Sequence, residues 1–189
     1  MDPIVRAALV HYQFETAHPF LDGNGRLGRL LITLMLINDG VLHSCLFYPS
    51  FQFKKNRSEY YRQLTSVRER GTYEEWIEFF CNSLLESAKD SVGSLKNLVD
   101  LHNRSTATIT ENLGRTAANG QRLLGILEEH PIVDTAFIAA QLDIGRSTAS
   151  SLVKSFEELG ILRPLDESRQ RYRQYGYEVH LSILREDAE

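Results

Sequence analysis

The run His18-Pro-Phe-Leu-Asp-Gly-Asn-Gly-Arg-Leu-Gly-Arg29 constrains the fold of this chain more than any other feature. Gly23 and Gly25 interrupt sequence that is apolar and helix-compatible on both sides. That pattern predicts two helices joined by a turn. Upstream, Asp2-Pro3 is a helix start, a capping carboxylate followed by proline at the first helical position. Ile4, Val5, Ala8, Leu9 and Tyr12 follow at helical spacing, which predicts helix to about Thr16. Pro19 argues for extended backbone at His18. A second helix is expected from near Gly25 to Asn38, with Gly40 as its stop. Its middle, around Leu30, Leu31, Leu34 and Met35, is apolar nearly all round and predicts a central, buried helix.

The turn also carries chemistry. Glycines let backbone N–H groups approach an anion, and a helix starting there adds its free N–H groups and positive dipole end. Arg26 and Arg29, three apart, project from one side of the first helical turn and can grip phosphate oxygens. Asp22 is a hard oxygen ligand suited to Mg²⁺. Imidazole exchanges protons near neutral pH, so His18 can take one from an attacking hydroxyl. Phe20 is expected to plug the loop into the core and fix where His18 points. His11, one or two turns earlier, is placed near the same loop.

The segment fills every position of the signature His-x-Phe-x-Asp/Glu-Gly-Asn-Gly-Arg-x-x-Arg and resembles the core of the Fic family of protein adenylyltransferases. The resemblance implies an all-α domain in which this loop joins two helices. It implies that His18 is the base that deprotonates a Ser, Thr or Tyr hydroxyl of a target protein. That oxygen then attacks the α-phosphate of ATP. Asp22 would hold Mg²⁺; Gly23, Asn24, Gly25, Arg26, Gly28 and Arg29 would bind the nucleotide. Retention of Gly23, Gly25 and Arg26 favours AMP transfer over the phosphorylating branch of the family. Asn56-Arg57, Tyr60-Tyr61 and Leu64 resemble a helix behind the site, implying that Asn56, Arg57 and Tyr60 line the adenine or ribose pocket; Tyr61 and Leu64 read as core.

In that family, early helices and a β-hairpin flap precede the motif. This chain opens 17 residues before His18, so neither is expected here, and the central helix is expected to have an uncovered face. The family's inhibitory pattern Ser/Thr-x-x-x-Glu-Gly/Asn is not met: Glu111-Asn112 comes nearest, with Ala107 where a hydroxyl is needed.

Farther along, Ser44 to Gln52 reads as an irregular connection, and Asn56 to Glu69 as a helix stopping near Gly71. Thr72 and Glu75 form a capping-box pattern before a long stripe, Trp76, Ile77, Phe80, Leu84, Ala88, Val92, Leu95 and Val99. Residues 103–119 read as a helical linker. From Gly120 the order changes to short helix, helix–turn–helix around Asp143-Ile-Gly145, and a strand pair over Ile161–Leu165 and Gln170–Tyr177. That is the order of a winged helix-turn-helix. The expected architecture is therefore mainly α: a partial Fic-type helical domain over 1–102, the linker 103–119, and a small winged helix-turn-helix domain over 120–189.

DNA contact through residues 146–173 is conceivable, with Arg146, Ser147, Thr148, Ser151 and Lys154 on the recognition helix and Arg169, Arg171 and Arg173 on the wing. It is disfavoured because residues 120–189 hold eight Lys/Arg against twelve Asp/Glu. Dimerisation or target docking suits this charge better, so a homodimer stays open.

The apolar fraction of 42% supports a real core. The longest apolar runs are too short to span a bilayer, no signal peptide is visible, and a cytoplasmic enzyme with no membrane partner is expected. Cys45 and Cys81 fit no metal or redox spacing and read as buried free thiols, with a disulfide as the lesser alternative. His43, His102, His130 and His180 lack partners at ligand spacing and read as surface or capping residues. The leading function is Mg²⁺- and ATP-dependent AMP transfer to a protein. The alternative is a DNA-binding regulator or protein-interaction module carrying an inactive Fic remnant.

Overall fold

The structure, a computed structural model, describes residues 1–43, 47, 49–166 and 173–186. Cys45, Arg169, Arg171 and the start of the second strand of the expected hairpin lie outside the described residues. The fold is mainly α and divides into two compact units, residues 1–93 and 94–188.

The first unit begins with α1 (Pro3–Ala17), where the Asp2 carboxylate accepts from the N–H groups of Ile4 and Val5. Pro3 at the first position has no N–H to leave unpaired. Then come α2 (Asn24–Asn38), the short α3 (Ser50–Lys55), α4 (Arg57–Arg70) and α5 (Tyr73–Asn112), a 40-residue helix whose part through Gly93 belongs to this unit. Gly71, at φ 71°, ends α4 as its position predicts. The expected irregular connection thus contains a helix: Pro49 starts α3 instead of breaking it, and Phe53 on α3 is buried.

The core of this unit gathers Ala7, Ala8, Tyr12, Ile32, Leu36, Phe53, Tyr60, Trp76 and Phe80. The Trp76 indole N–H donates to the Ala8 carbonyl at 2.9 Å, and Arg6 pairs with Asp39 to tie the start of α1 to the end of α2. Apolar faces are covered only in part. On α2, Leu27, Leu30 and Leu34 form an exposed apolar strip, so the expected uncovered face is there and the expected burial all round is not. The stripe on α5 is likewise split, because Trp76, Phe80 and Leu84 are buried whereas Val92, Leu95 and Val99 are exposed. Periodicity gives the apolar side of a helix but not its cover.

The second unit contains the rest of α5, a 3₁₀ turn (Gly114–Thr116), α6 (Ala117–Glu129), β1 (Ile132–Asp134), α7 (Thr135–Leu142), α8 (Arg146–Glu158), β2 (Arg163–Pro164), β3 (Gln174–Gly176) and α9 (Glu178–Glu186). The strands form an antiparallel sheet in the order β1-β3-β2, with Val133 and Pro164 both facing Tyr175 across the ladder. Strand β1 and helix α9 were not foreseen. Three residues after a His-Pro pair are too few to show a strand period. The Asp134 carboxylate caps α7 through the Phe137 N–H at 2.7 Å, and Asp143 takes a left-handed conformation (φ 54°) in the turn to α8.

Residues 103–119, expected as a linker, supply core instead. Ile109 is fully buried, Leu113 packs beside it, and the Ser105 hydroxyl meets that of Tyr177 at 2.8 Å. Gly120 lets α6 approach closely, since a Cβ there would stand 2.8 Å from Ile109. His180 is also buried, stacked on Tyr177, and not a surface residue; His102 pairs with Glu128 at 2.7 Å.

Because Ile109 belongs to the core of the second unit, Ile109→Ala should destabilise that unit by about 3 kcal/mol. Urea unfolding followed by tyrosine signals would measure this; a midpoint unchanged from the parent would return residue 109 to a linker role.

Candidate active site

The loop between α1 and α2 carries the motif, and three devices shape it. First, His18 closes α1 in a left-handed conformation (φ 45°, ψ 55°), its N–H donating to the Phe14 carbonyl at 3.0 Å. This replaces the extended backbone expected before proline: closing the last turn of α1 outweighs the local preference. The imidazole is left exposed.

Second, Asn24 clips the loop. It is buried, its Oδ1 accepts from the Phe20 N–H at 2.9 Å, and its Nδ2 donates to the Phe20 carbonyl at 2.6 Å. Both ends of the amide bond to backbone, so Asn24 shapes the loop. Phe20 itself is 52% exposed and only rests near Phe14, so it is not the expected plug. Third, Gly23 stands at φ 82° before α2. It has no side chain to cap the helix, so the first N–H groups of α2 are left without a side-chain cap.

Around this turn the structure gathers Asp22, Gly23, Gly25, Arg26 and Arg29. Asp22 is 95% exposed at its side chain; one oxygen accepts from the Gly23 N–H at 2.6 Å, the other lies 3.7 Å from Arg26. Arg29 crosses the first turn, its Nη1 only 3.2 Å from where a Cβ on Gly25 would stand, and its Nε donates to the Ser50 hydroxyl at 3.1 Å. A cavity of about 250 Å³ opens beside them. Arg26, Arg29, Thr33 and Ser50 give it a polar wall; Leu30, Leu34, Phe47 and Pro49 give it an apolar one.

Gly28 has a packing role. A Cβ there would collide with the Glu15 carboxylate and stand 3.1 Å from the His11 ring. The Gly28 carbonyl instead accepts from His11 Nδ1 at 3.0 Å. His11 Nε2 then accepts from the Tyr60 hydroxyl, 2.9 Å away. Tyr60, expected at a nucleotide pocket, is therefore a buried core residue, and burial pushes its phenol pKa up so that it stays protonated. Asn56 is exposed and donates from its amide to the Gln52 backbone carbonyl at 3.1 Å; Arg57 lies over the Tyr61 ring.

Residues missed by sequence reasoning include Ser50 and Glu15. Burial raises the Glu15 carboxyl pKa, while Arg29 and His18 pull it back down, and its Oε1 is buried with no hydrogen-bond partner among the described residues. Neither residue belongs to a local pattern. Among the described residues no group of three His, Cys, Asp or Glu side chains could hold a metal alone. The donor set fits a Mg²⁺ delivered on phosphates, with the exposed Asp22 as its one carboxylate.

Residues 1–36 match the family model described as the Fic/DOC family. The N-terminal segment is thus similar to Fic/DOC family sequence. Among curated proteins, the chain is similar to "Protein adenylyltransferase fic-1" of Caenorhabditis briggsae, 35% identical over 96 residues, which is 51% of this chain and 18% of that protein. "Protein adenylyltransferase Fic" of Drosophila ananassae is 37% identical over 82 residues, 43% of this chain and 15% of that protein. The chain thus matches less than a fifth of the length of these relatives. The matched segment corresponds to α1, the loop and most of α2.

The His11 contacts make a pH prediction. Burial, the largest cause, lowers its pKa from 6.5 to about 4, against a raising effect from the Gly28 carbonyl. Below pH 6.5 the unfolded chain takes up a proton that the folded chain refuses, so stability falls as pH drops and levels off below about 4. The shift is worth about 3 kcal/mol. Urea unfolding between pH 7.5 and 4 should show this loss, and His11→Gln should show a shallower slope. Equal slopes for the two proteins would remove His11 from this role.

Proposed function

We propose that the chain is a protein adenylyltransferase that moves AMP from ATP to a Ser, Thr or Tyr hydroxyl of a target protein. One observation carries the reading: an exposed imidazole on the last turn of α1 stands in the same clipped loop as the uncapped start of α2 and its two arginines. The full motif and the curated relatives support it.

The N–H groups of Asn24, Gly25 and Arg26, on the uncapped first turn of α2, would hold the α- and β-phosphates. Arg26 and Arg29 would neutralise the outer phosphates. His18 would take the proton of the target hydroxyl as its oxygen bonds to the α-phosphorus. The bond from that phosphorus to the bridging oxygen then breaks, and pyrophosphate leaves with the electron pair. Mg²⁺ held by Asp22 and the phosphates would offset their charge. The backbone donors are fixed before substrate arrives, which is what electrostatic stabilisation of developing charge requires.

We assign this chemistry to the first unit, in the cytoplasm. The second unit, with α7, its turn, α8 and a three-stranded sheet, would serve target docking or self-association as a winged helix-turn-helix. Its excess of acidic residues argues against DNA as the partner.

Incubation with α-labelled ATP, Mg²⁺ and a protein extract should transfer label to protein. His18→Ala should reduce transfer by at least about a hundredfold. Undiminished labelling by that variant would take His18 out of the reaction. A labelled band seen with γ-labelled ATP would indicate phosphoryl transfer.

A further inference from the structure

We propose that Ser50 is a positioning residue for Arg29, holding the guanidinium by Nε so that both terminal nitrogens face the outer phosphates of a bound triphosphate. The inference rests on the adenylyl-transfer reading above and adds a residue that the motif does not contain.

Ser50 is the first residue of α3, 21 positions beyond Arg29. Its hydroxyl accepts from Arg29 Nε at 3.1 Å in a part-buried setting. An arginine on the first turns of a helix has many rotamers, and a free one would point to water. Here two contacts limit it. The guanidinium lies across Gly25, where a side chain would crowd Nη1, and Ser50 fixes the Nε edge.

A guanidinium has five N–H donors in one plane. With Nε used, the four on Nη1 and Nη2 remain for a forked grip on phosphate oxygens. Ser50 and both arginines line the same cavity, whose Phe47 and Pro49 keep part of its wall apolar. In such surroundings a hydrogen bond to a charged group is stronger than in water. Ser50 therefore bears on ligands that reach Arg29 and is indifferent to those that do not. ATP reaches it through its outer phosphates; AMP has none.

Calorimetric titration of the full chain with ATP plus Mg²⁺, and separately with AMP, tests this. Ser50→Ala should weaken ATP binding on the order of tenfold and leave AMP binding unchanged. Ser50→Thr, which keeps the hydroxyl, should restore ATP affinity, whereas Ser50→Val, of the same shape, should not. The Thr/Val comparison stands even if the alanine variant folds poorly. Equal losses for ATP and AMP, or none for either, would overturn the role of Ser50. Absence of ATP binding by the parent chain would instead bring down the adenylyl-transfer reading and the Ser50 role with it.

Discussion

The buried imidazole of His11 is the contact on which the first unit depends. Its Nδ1–H donates to the Gly28 carbonyl, and its Nε2 accepts from the Tyr60 hydroxyl. A carbonyl can only accept, so the tautomer follows: the proton is on Nδ1, and Tyr60 must be the donor to Nε2. The ring stacks near Phe53 and Trp76 at 5.8 and 6.1 Å. One side chain thus joins α1 to α2 and α4 by hydrogen bonds, and to α3 and α5 by packing. All five helices of the unit meet around a group that is held neutral by burial. A buried polar ring is costly when unpaired and specifying when both nitrogens are satisfied.

The geometry of the motif follows from that contact. Fixing α1 against α2 at Gly28 sets the span that the loop from His18 to Gly23 must cross. Gly28 is glycine because His11 and Glu15 occupy the space of its side chain. Asn24 then determines the shape of the crossing by closing on the Phe20 backbone from both ends. The motif therefore contains two kinds of residue. Gly28 and Asn24 hold the loop, whereas His18, Asp22, Arg26 and Arg29 are presented by it. A sequence pattern treats both kinds alike, and hydrogen-bond accounting separates them.

Features written in adjacent residues were legible in the sequence. The Asp2-Pro3 cap, the Gly71 stop, the glycine turn and the order of α6, α7 and α8 all have local causes. Features that depend on what covers a face were not. Leu30 and Leu34 share the apolar run with Ile32 and Leu36, yet the first pair is exposed and the second buried. Tyr60 read as a pocket residue because its pattern could not reveal the histidine 49 positions earlier that takes its hydroxyl. Ile109, in a stretch rich in Thr, Asn and Arg, looked like linker because one buried isoleucine leaves no period.

The exposed strip on α2 has a further consequence for the site. Leu30 and Leu34 line the cavity beside Arg26 and Arg29 while remaining about half exposed. Any ligand that settles on the arginines therefore lies against apolar surface on one side. Where that surface loses water, the guanidinium–phosphate attraction rises, because the local dielectric falls. Where it stays wet, the arginines are screened as ordinary surface charges. The strength of the cradle is thus set jointly by the charged residues of the motif and by how well the leucines beside it are shielded.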